Sequence, residues 1–388
     1  MKSRTLTQSG SAFLDCVRFA TAIFVFLGHI VFIPGSARFL HLAHIAVCIF
    51  FVLSGFVIRM IVVNRAGTIG AFFIDRASRI YSVVIPALIL TILCEALARH
   101  VDPITYAQFA APFSWSQVPL QLLANLTSMA QNWGYEINPL SNSPFWSLSF
   151  ECIYYVLFAL FFYSVGKPCT RRTVMFLIAA LVMLVAGPSI VLLFPTWLIG
   201  CLLYDVYSWL NHKPYAFSLT SALLATVSGL ALFFRHAIAH LMFVTDFSHR
   251  TFWLLHLVTP VMRARFSDTT GYIPWLSRFS FSFYVAAILV FFFMLWSLVT
   301  LDRFLPQIHP RIARTLRWIA EGTFALYLLH LPLLILIATL FHGHPKFPVL
   351  WAIGVVVLCI LLSRFSDNLK LSLRTWLRRT FNSQIPAC

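Results

Sequence analysis

The run Phe13-Leu14-Asp15-Cys16-Val17-Arg18-Phe19-Ala20-Thr21-Ala22-Ile23-Phe24-Val25-Phe26-Leu27-Gly28-His29-Ile30-Val31-Phe32-Ile33 decides how the chain is to be read. It is apolar almost throughout and, at about 1.5 Å of rise per residue, long enough to cross a bilayer as one helix. Within it stand an acid, a guanidinium and an imidazole. Ionisable groups at that depth are costly and mark function, unless they snorkel to the interface or bond a neighbouring helix. Arg18 and His29 are about three turns apart, and about 100° per residue brings both onto one stripe. Asp15, one turn before Arg18, falls within about 40° of the same line. About 16 Å of helix separates the arginine from the histidine, which predicts Arg18 near one membrane face and His29 in the far half.

Composition extends this to the whole chain. Of 388 residues, 60% are hydrophobic and 10% charged, too apolar a mixture for a soluble core. The prediction is an all-α, polytopic membrane protein forming a single integral-membrane domain. The formal net charge of +16 reads as a membrane-orientation signal and not as a nucleic-acid footprint. The eight cysteines are scattered, mostly inside apolar runs and without a CxxC pair, so they read as buried thiols. The first apolar run lacks a small-residue cleavage site and is expected to remain as the first anchor.

About ten spans are expected: Phe13–Ile33, His41–Val63, Ile80–Ala98, Phe145–Val165, Thr173–Ile190, Thr196–Leu210, Phe217–Phe234, Phe279–Leu301, Trp318–Leu340 and Phe347–Leu362. With both termini cytoplasmic, most of the 28 Lys and Arg residues fall on inner segments and helix ends, as the positive-inside rule requires. The stretch 235–278 carries five arginines on the outer side and two apolar pieces too short to span. Basic clusters at 167–172, 311–317 and in the tail 363–388 suit lipid head groups. The largest outer loop is expected over 100–144, broken by prolines.

Two constellations carry chemistry. Arg76 and Arg79, three apart at the inner mouth of the third span, share one helix face. They suit a phosphate-bearing ligand, and equally suit positive-inside anchors. Ser147 and Glu151 share a face of the fourth span, which opens with Trp146 and Ser149 beside them. Glu151 reaches a depth comparable to that of His29, so the pair reads as a base with its orienting carboxylate or as a structural ion pair. His330, with Tyr327 on its face, is a further candidate. His342-Gly343-His344 has no carboxylate or cysteine close by, and no metal site is expected.

These motifs resemble acyltransferase family 3, the bacterial inner-membrane acyltransferases. The family's basic residue, ten residues and a histidine match Arg18 to His29. Its Phe-Phe-Val-Leu-Ser-Gly-Phe matches Phe50 to Phe56, and its Arg-x-x-Arg matches Arg76 and Arg79, followed by Tyr81. Trp146 to Glu151 looks like its Trp-Ser-Leu-Ser-x-Glu, and Tyr327 to His330 with Pro332 looks like its late Tyr-Leu-x-His and proline. Asp15-Cys16-Val17-Arg18 departs from the Asp-Gly-Leu-Arg of many members, and Ser82 stands where many have proline.

The resemblance implies transfer of an acyl group, acetyl above all, from cytoplasmic acyl-CoA to a hydroxyl of an envelope or exported glycan, without a metal. Arg76 and Arg79, with Tyr81, would hold the donor's phosphates, and its pantetheine arm would pass Arg18. His29 would act as general base or brief acyl carrier, with Glu151 orienting the ring and Asp15 and Arg18 completing the stripe. Trp146, Ser147, Ser149, Tyr327 and His330 would support the substrate. The alternative is a proton-coupled transporter or flippase using His29, Glu151 and Arg18 as a relay. Neither inverted repeats nor matching broken helices are found for it. The sequence is silent on the oligomeric state.

Overall fold

The structure is a computed structural model and describes residues 6–30, 37–65, 67–110, 114–211, 269–303, 305–341 and 348–382. Among these all regular structure is helical, and nine helices are long and apolar enough to cross a membrane. The chain is an all-α polytopic membrane protein. The span predicted at Phe217–Phe234, most of 235–278, and His342-Gly343-His344 lie outside the described residues.

In chain order the helices are α1 (Gln8–Gly28), α2 (Ala37–Asn64), α3 (Ile69–Val101), α4 (Pro103–Phe109), α5 (Val118–Leu126) and α6 (Trp146–Ser164). They continue as α7 (Cys169–Ala186), α8 (Pro188–Asn211), α9 (Thr269–Arg303), α10 (Pro310–Glu321), α11 (Thr323–Leu340) and α12 (Pro348–Asn382). Several ends differ from expectation, and three of the differences bear on the site. α3 begins well before Ile80 because Thr68 caps it, its Oγ1 accepting from the Ala71 amide at 3.2 Å. Arg76 and Arg79 therefore sit inside a regular helix. The predicted span Trp318–Leu340 is two helices, α10 and α11, meeting at Gly322. α12 does not stop at Leu362 but carries the basic tail onward as helix to Asn382.

Contacts group the chain into two compact units. The first holds 1–10, 48–64 and 191–307. Its α2 and α8 segments pack backbone to backbone: a Cβ on Gly55 would stand 2.1 Å from the Trp197 carbonyl, and one on Gly200 2.1 Å from the Val52 carbonyl. Apolar helices gain no hydrophobic energy by meeting each other in lipid, so close van der Waals approach through small residues holds them. Trp197 Nε1 donates to Ser54 Oγ at 3.2 Å, and Arg59 Nε pairs with Asp205 at 2.9 Å. The Ser54-Gly55 step in the Phe50–Phe56 run thus has a packing cause.

The second unit holds 11–47, 65–190 and 308–388. α11 is its centre: apolar on every face, it packs against both α3 and α12, which also pack on each other. Its apolar stretch is 78% buried, against 11% for α7, so α11 is core and α7 is largely exposed. The segment between α4 and α6 is not an irregular loop. It is folded into short helical turns and pinned to α3 and α11 by buried polar groups. The fully buried Glu95 carboxylate accepts from the Tyr106 hydroxyl at 2.6 Å, the Ser141 amide at 2.8 Å and the Ser141 hydroxyl at 3.1 Å. Burial, and then the bond to Glu95, push the Tyr106 phenol well above the ordinary tyrosine range. Asn142 Nδ2 donates to Thr91 Oγ1 and to the Leu328 carbonyl, both at 2.9 Å.

Two stability predictions follow from this packing. Gly200→Val should cost about 2 kcal/mol by overpacking, read as a lower melting temperature in detergent. Gly354→Val, where nothing lies within 4 Å of an added Cβ, should leave the melting temperature unchanged. Glu95→Ala should cost about 2 kcal/mol or more, because it strands buried donors; the same melting assay, with limited proteolysis between α4 and α6, reads it.

Candidate functional site

Every residue of the candidate site lies in the second unit. α1 ends at Gly28, short of Ile33, and His29 occupies a final tightened turn, its amide donating to the Phe26 carbonyl at 3.0 Å. The His29 ring folds back on the helix with Nδ1 2.8 Å from the Val25 carbonyl. A carbonyl only accepts, so Nδ1 carries the proton and the lone pair is on Nε2.

His330 repeats this arrangement in α11, its Nδ1 lying 2.9 Å from the Leu326 carbonyl. The two imidazoles meet edge to face, ring centroids 5.1 Å apart, with Phe26 against the second ring. His330 is fully buried, and its Nε2 has no hydrogen-bond partner among the described residues. An unsatisfied basic nitrogen inside a packed core costs stability, which gives it the character of a functional atom more than a structural one.

Tyr327, one turn before His330, ties α11 to α6: its hydroxyl and that of Ser147 are 2.6 Å apart. Ser149 is buried and Trp146 half-buried, the latter stacked edge-on against Phe150. Glu151 accepts a hydrogen bond from Tyr155, one turn on in α6. It is also within electrostatic reach of Arg18, Arg76 and Tyr327. The carboxylate thus stands in the field of both the arginines and the histidine-bearing helix, and the ring that packs on His29 is that of His330.

Below these groups on α1 is a cavity of about 270 Å3. Its cations are Arg18, Arg79, Arg317 and Lys370, and its acids Asp15, Glu321 and Asp367. Asp15 lies 3.4 Å from Arg18 and 3.9 Å from Arg317. Glu321 and Asp367 are held by Arg364 at 2.9 and 3.5 Å. The two-arginine motif divides: Arg79 lines the cavity, whereas Arg76 lies near Tyr155, Glu151 and Asp75. Tyr81 donates to the Leu126 carbonyl at 2.7 Å and so fastens α5 to α3. Arg317 and Lys370 escaped the sequence because basic residues flanking apolar spans all look like orientation signals. The spacing of Arg311, Arg314 and Arg317 at one-turn intervals was the only available hint.

The arrangement offers an imidazole base with its lone pair on Nε2, a second buried imidazole beside it, and a cationic cavity further down the same helix. Among comparisons with known proteins, a family model described as an acyltransferase domain matches residues 11–364. No curated protein and no solved structure matches the chain.

Proposed function

The chain belongs to acyltransferase family 3 and is a membrane acyltransferase; from that premise we propose that it moves an acyl group, acetyl above all, from acyl-CoA to a carbohydrate hydroxyl. The acceptor is an envelope or exported glycan, and the membrane the bacterial inner membrane. The observation that carries the reading is that α1 runs from a cationic cavity, at Asp15 and Arg18, to an imidazole base at His29. About 16 Å of helix lies between the two. A donor whose phosphates rest at Arg79 and Arg18, with Arg76 beside them, would extend its pantetheine arm along α1 and present the thioester near His29.

In the reaction His29 Nε2 takes the proton of the acceptor hydroxyl as its oxygen attacks the thioester carbonyl. The C–S bond breaks, and the departing thiolate recovers the proton from the imidazolium. The Val25 carbonyl holds Nδ1–H throughout, so the ring cannot present the wrong nitrogen. His330 packs on the ring and Ser147 with Tyr327 holds α11 in place. Glu151, in the field of Arg18 and Tyr327, supports the charge that develops at the site. No metal is called for, because each proton transfer has a named side chain.

Purified protein incubated with labelled acetyl-CoA and a glycan acceptor tests this. His29→Ala should abolish transfer, a loss of about 10²-fold or more in kcat, while melting at an unchanged temperature; full activity in the folded variant would remove His29 from the chemistry. Arg76→Ala with Arg79→Ala should weaken acetyl-CoA binding at least tenfold by calorimetry and leave His29-dependent turnover at saturating donor. An unchanged affinity would refute their role.

A further inference from the structure

α12 continues as one helix past the end of the family match at residue 364 to Asn382. That continuation is held to α3 at a particular place. Arg374 Nε lies 2.8 Å and Arg378 Nη2 3.5 Å from Asp75 Oδ1, and Asp75 directly precedes Arg76 and stands one turn before Arg79. A lipid-facing basic tail would splay its arginines toward head groups. Here two of them are spent on one carboxylate of the helix that carries the two-arginine motif.

Between this clamp and Leu362, α12 presents Ser363, Ser366 and Lys370 to the cavity, opposite Arg79 and Ser82 of α3. The cavity's acids are already engaged: Asp15 with Arg18, and Glu321 and Asp367 with Arg364. Arg79 and Lys370 form no ion pair among the described residues. Ser82 and Ser363 donate their hydroxyl protons to the Arg79 and Ile360 carbonyls of their own helices, so the anion site rests on the two cations, one from α3 and one from α12, with the neighbouring carboxylates neutralised by other arginines. At about 270 Å3 the space is at the small end for enclosing a whole ligand, so it is scaled to one charged group of a larger molecule.

Resting on the acyl-CoA reading above, we propose that the extension of α12 is part of the donor site. In it Lys370 binds a phosphate of the donor's nucleotide across the cavity from Arg79, and the Asp75–Arg374–Arg378 clamp holds the lysine there. The helix beyond residue 364 thus sets donor affinity and carries no membrane-anchoring role at those three side chains.

The test uses the full chain in detergent and measures acetyl-CoA binding by calorimetry. Lys370→Gln, of similar length, should raise Kd on the order of tenfold with an unchanged melting temperature, and Lys370→Arg should restore most of the affinity. Repeating the titration with acetyl-CoA lacking the 3′-phosphate identifies the phosphate: the Lys370→Gln effect disappears if that group is bound and persists if the pyrophosphate is. Either result supports the proposal. An unchanged Kd in Lys370→Gln overturns it. Arg79→Ala in the same assay then separates the cases, since a loss there leaves the donor reading standing and no loss removes both. Equal weakening in Lys370→Arg and Lys370→Gln also overturns it, because shape and not charge would then be at work.

Discussion

A polar group inside an apolar helix has no water to turn to, and the second unit is organised by that constraint. His29 and His330 meet it in the same way, each bonding Nδ1 to the carbonyl one turn back. This satisfies one nitrogen within the helix itself and fixes the tautomer, so the other nitrogen keeps a lone pair. Placing two such rings 5.1 Å apart leaves basic nitrogen where hydrocarbon packing would otherwise be better. The fold tolerates this because α11 is gripped on several sides: by α3 and α12, by Ser147 through Tyr327, and by Asn142 through the Leu328 carbonyl.

The same constraint explains the charges nearer the start of α1. Each acid lining the cavity is matched to an arginine, and Asp15 is shared between Arg18 and Arg317. Pairing on this pattern leaves the cations in excess where a negatively charged donor would rest. The buried Glu95, by contrast, pairs with no cation among the described residues and is satisfied by a phenol, a hydroxyl and a backbone amide. It is a device for pinning the segment after α4, and it places Asn142 against the helix that bears His330.

Much of this was legible in the sequence. Long apolar runs announced the helices, and the isolated Asp15, Arg18 and His29 announced a polar stripe, because hydrocarbon makes such residues conspicuous. What the sequence concealed was partnership. His330 looked secondary, since nothing in its own helix shows that its ring packs on His29. Glu151 was legible as a carboxylate at the depth of His29, but not that it accepts a hydrogen bond from Tyr155 one turn on. Helix ends were set by local signals that hydropathy does not weigh: the Thr68 cap, the break at Gly322, and a tail that stays helical because its arginines reach Asp75. Gly55 was visible as part of a motif, but its cause, the approach of α8 within a methyl's width, is tertiary.

The central claim is that one helix links a phosphate-holding cavity to an imidazole base. Electron cryomicroscopy of the protein bound to a thioether analogue of acetyl-CoA tests it most directly. The account predicts nucleotide density beside Arg79 and Lys370, with the arm running along α1 so that the acyl carbon lies near His29 Nε2. Nucleotide density elsewhere, or an arm that leaves α1 before reaching the histidine, would contradict it.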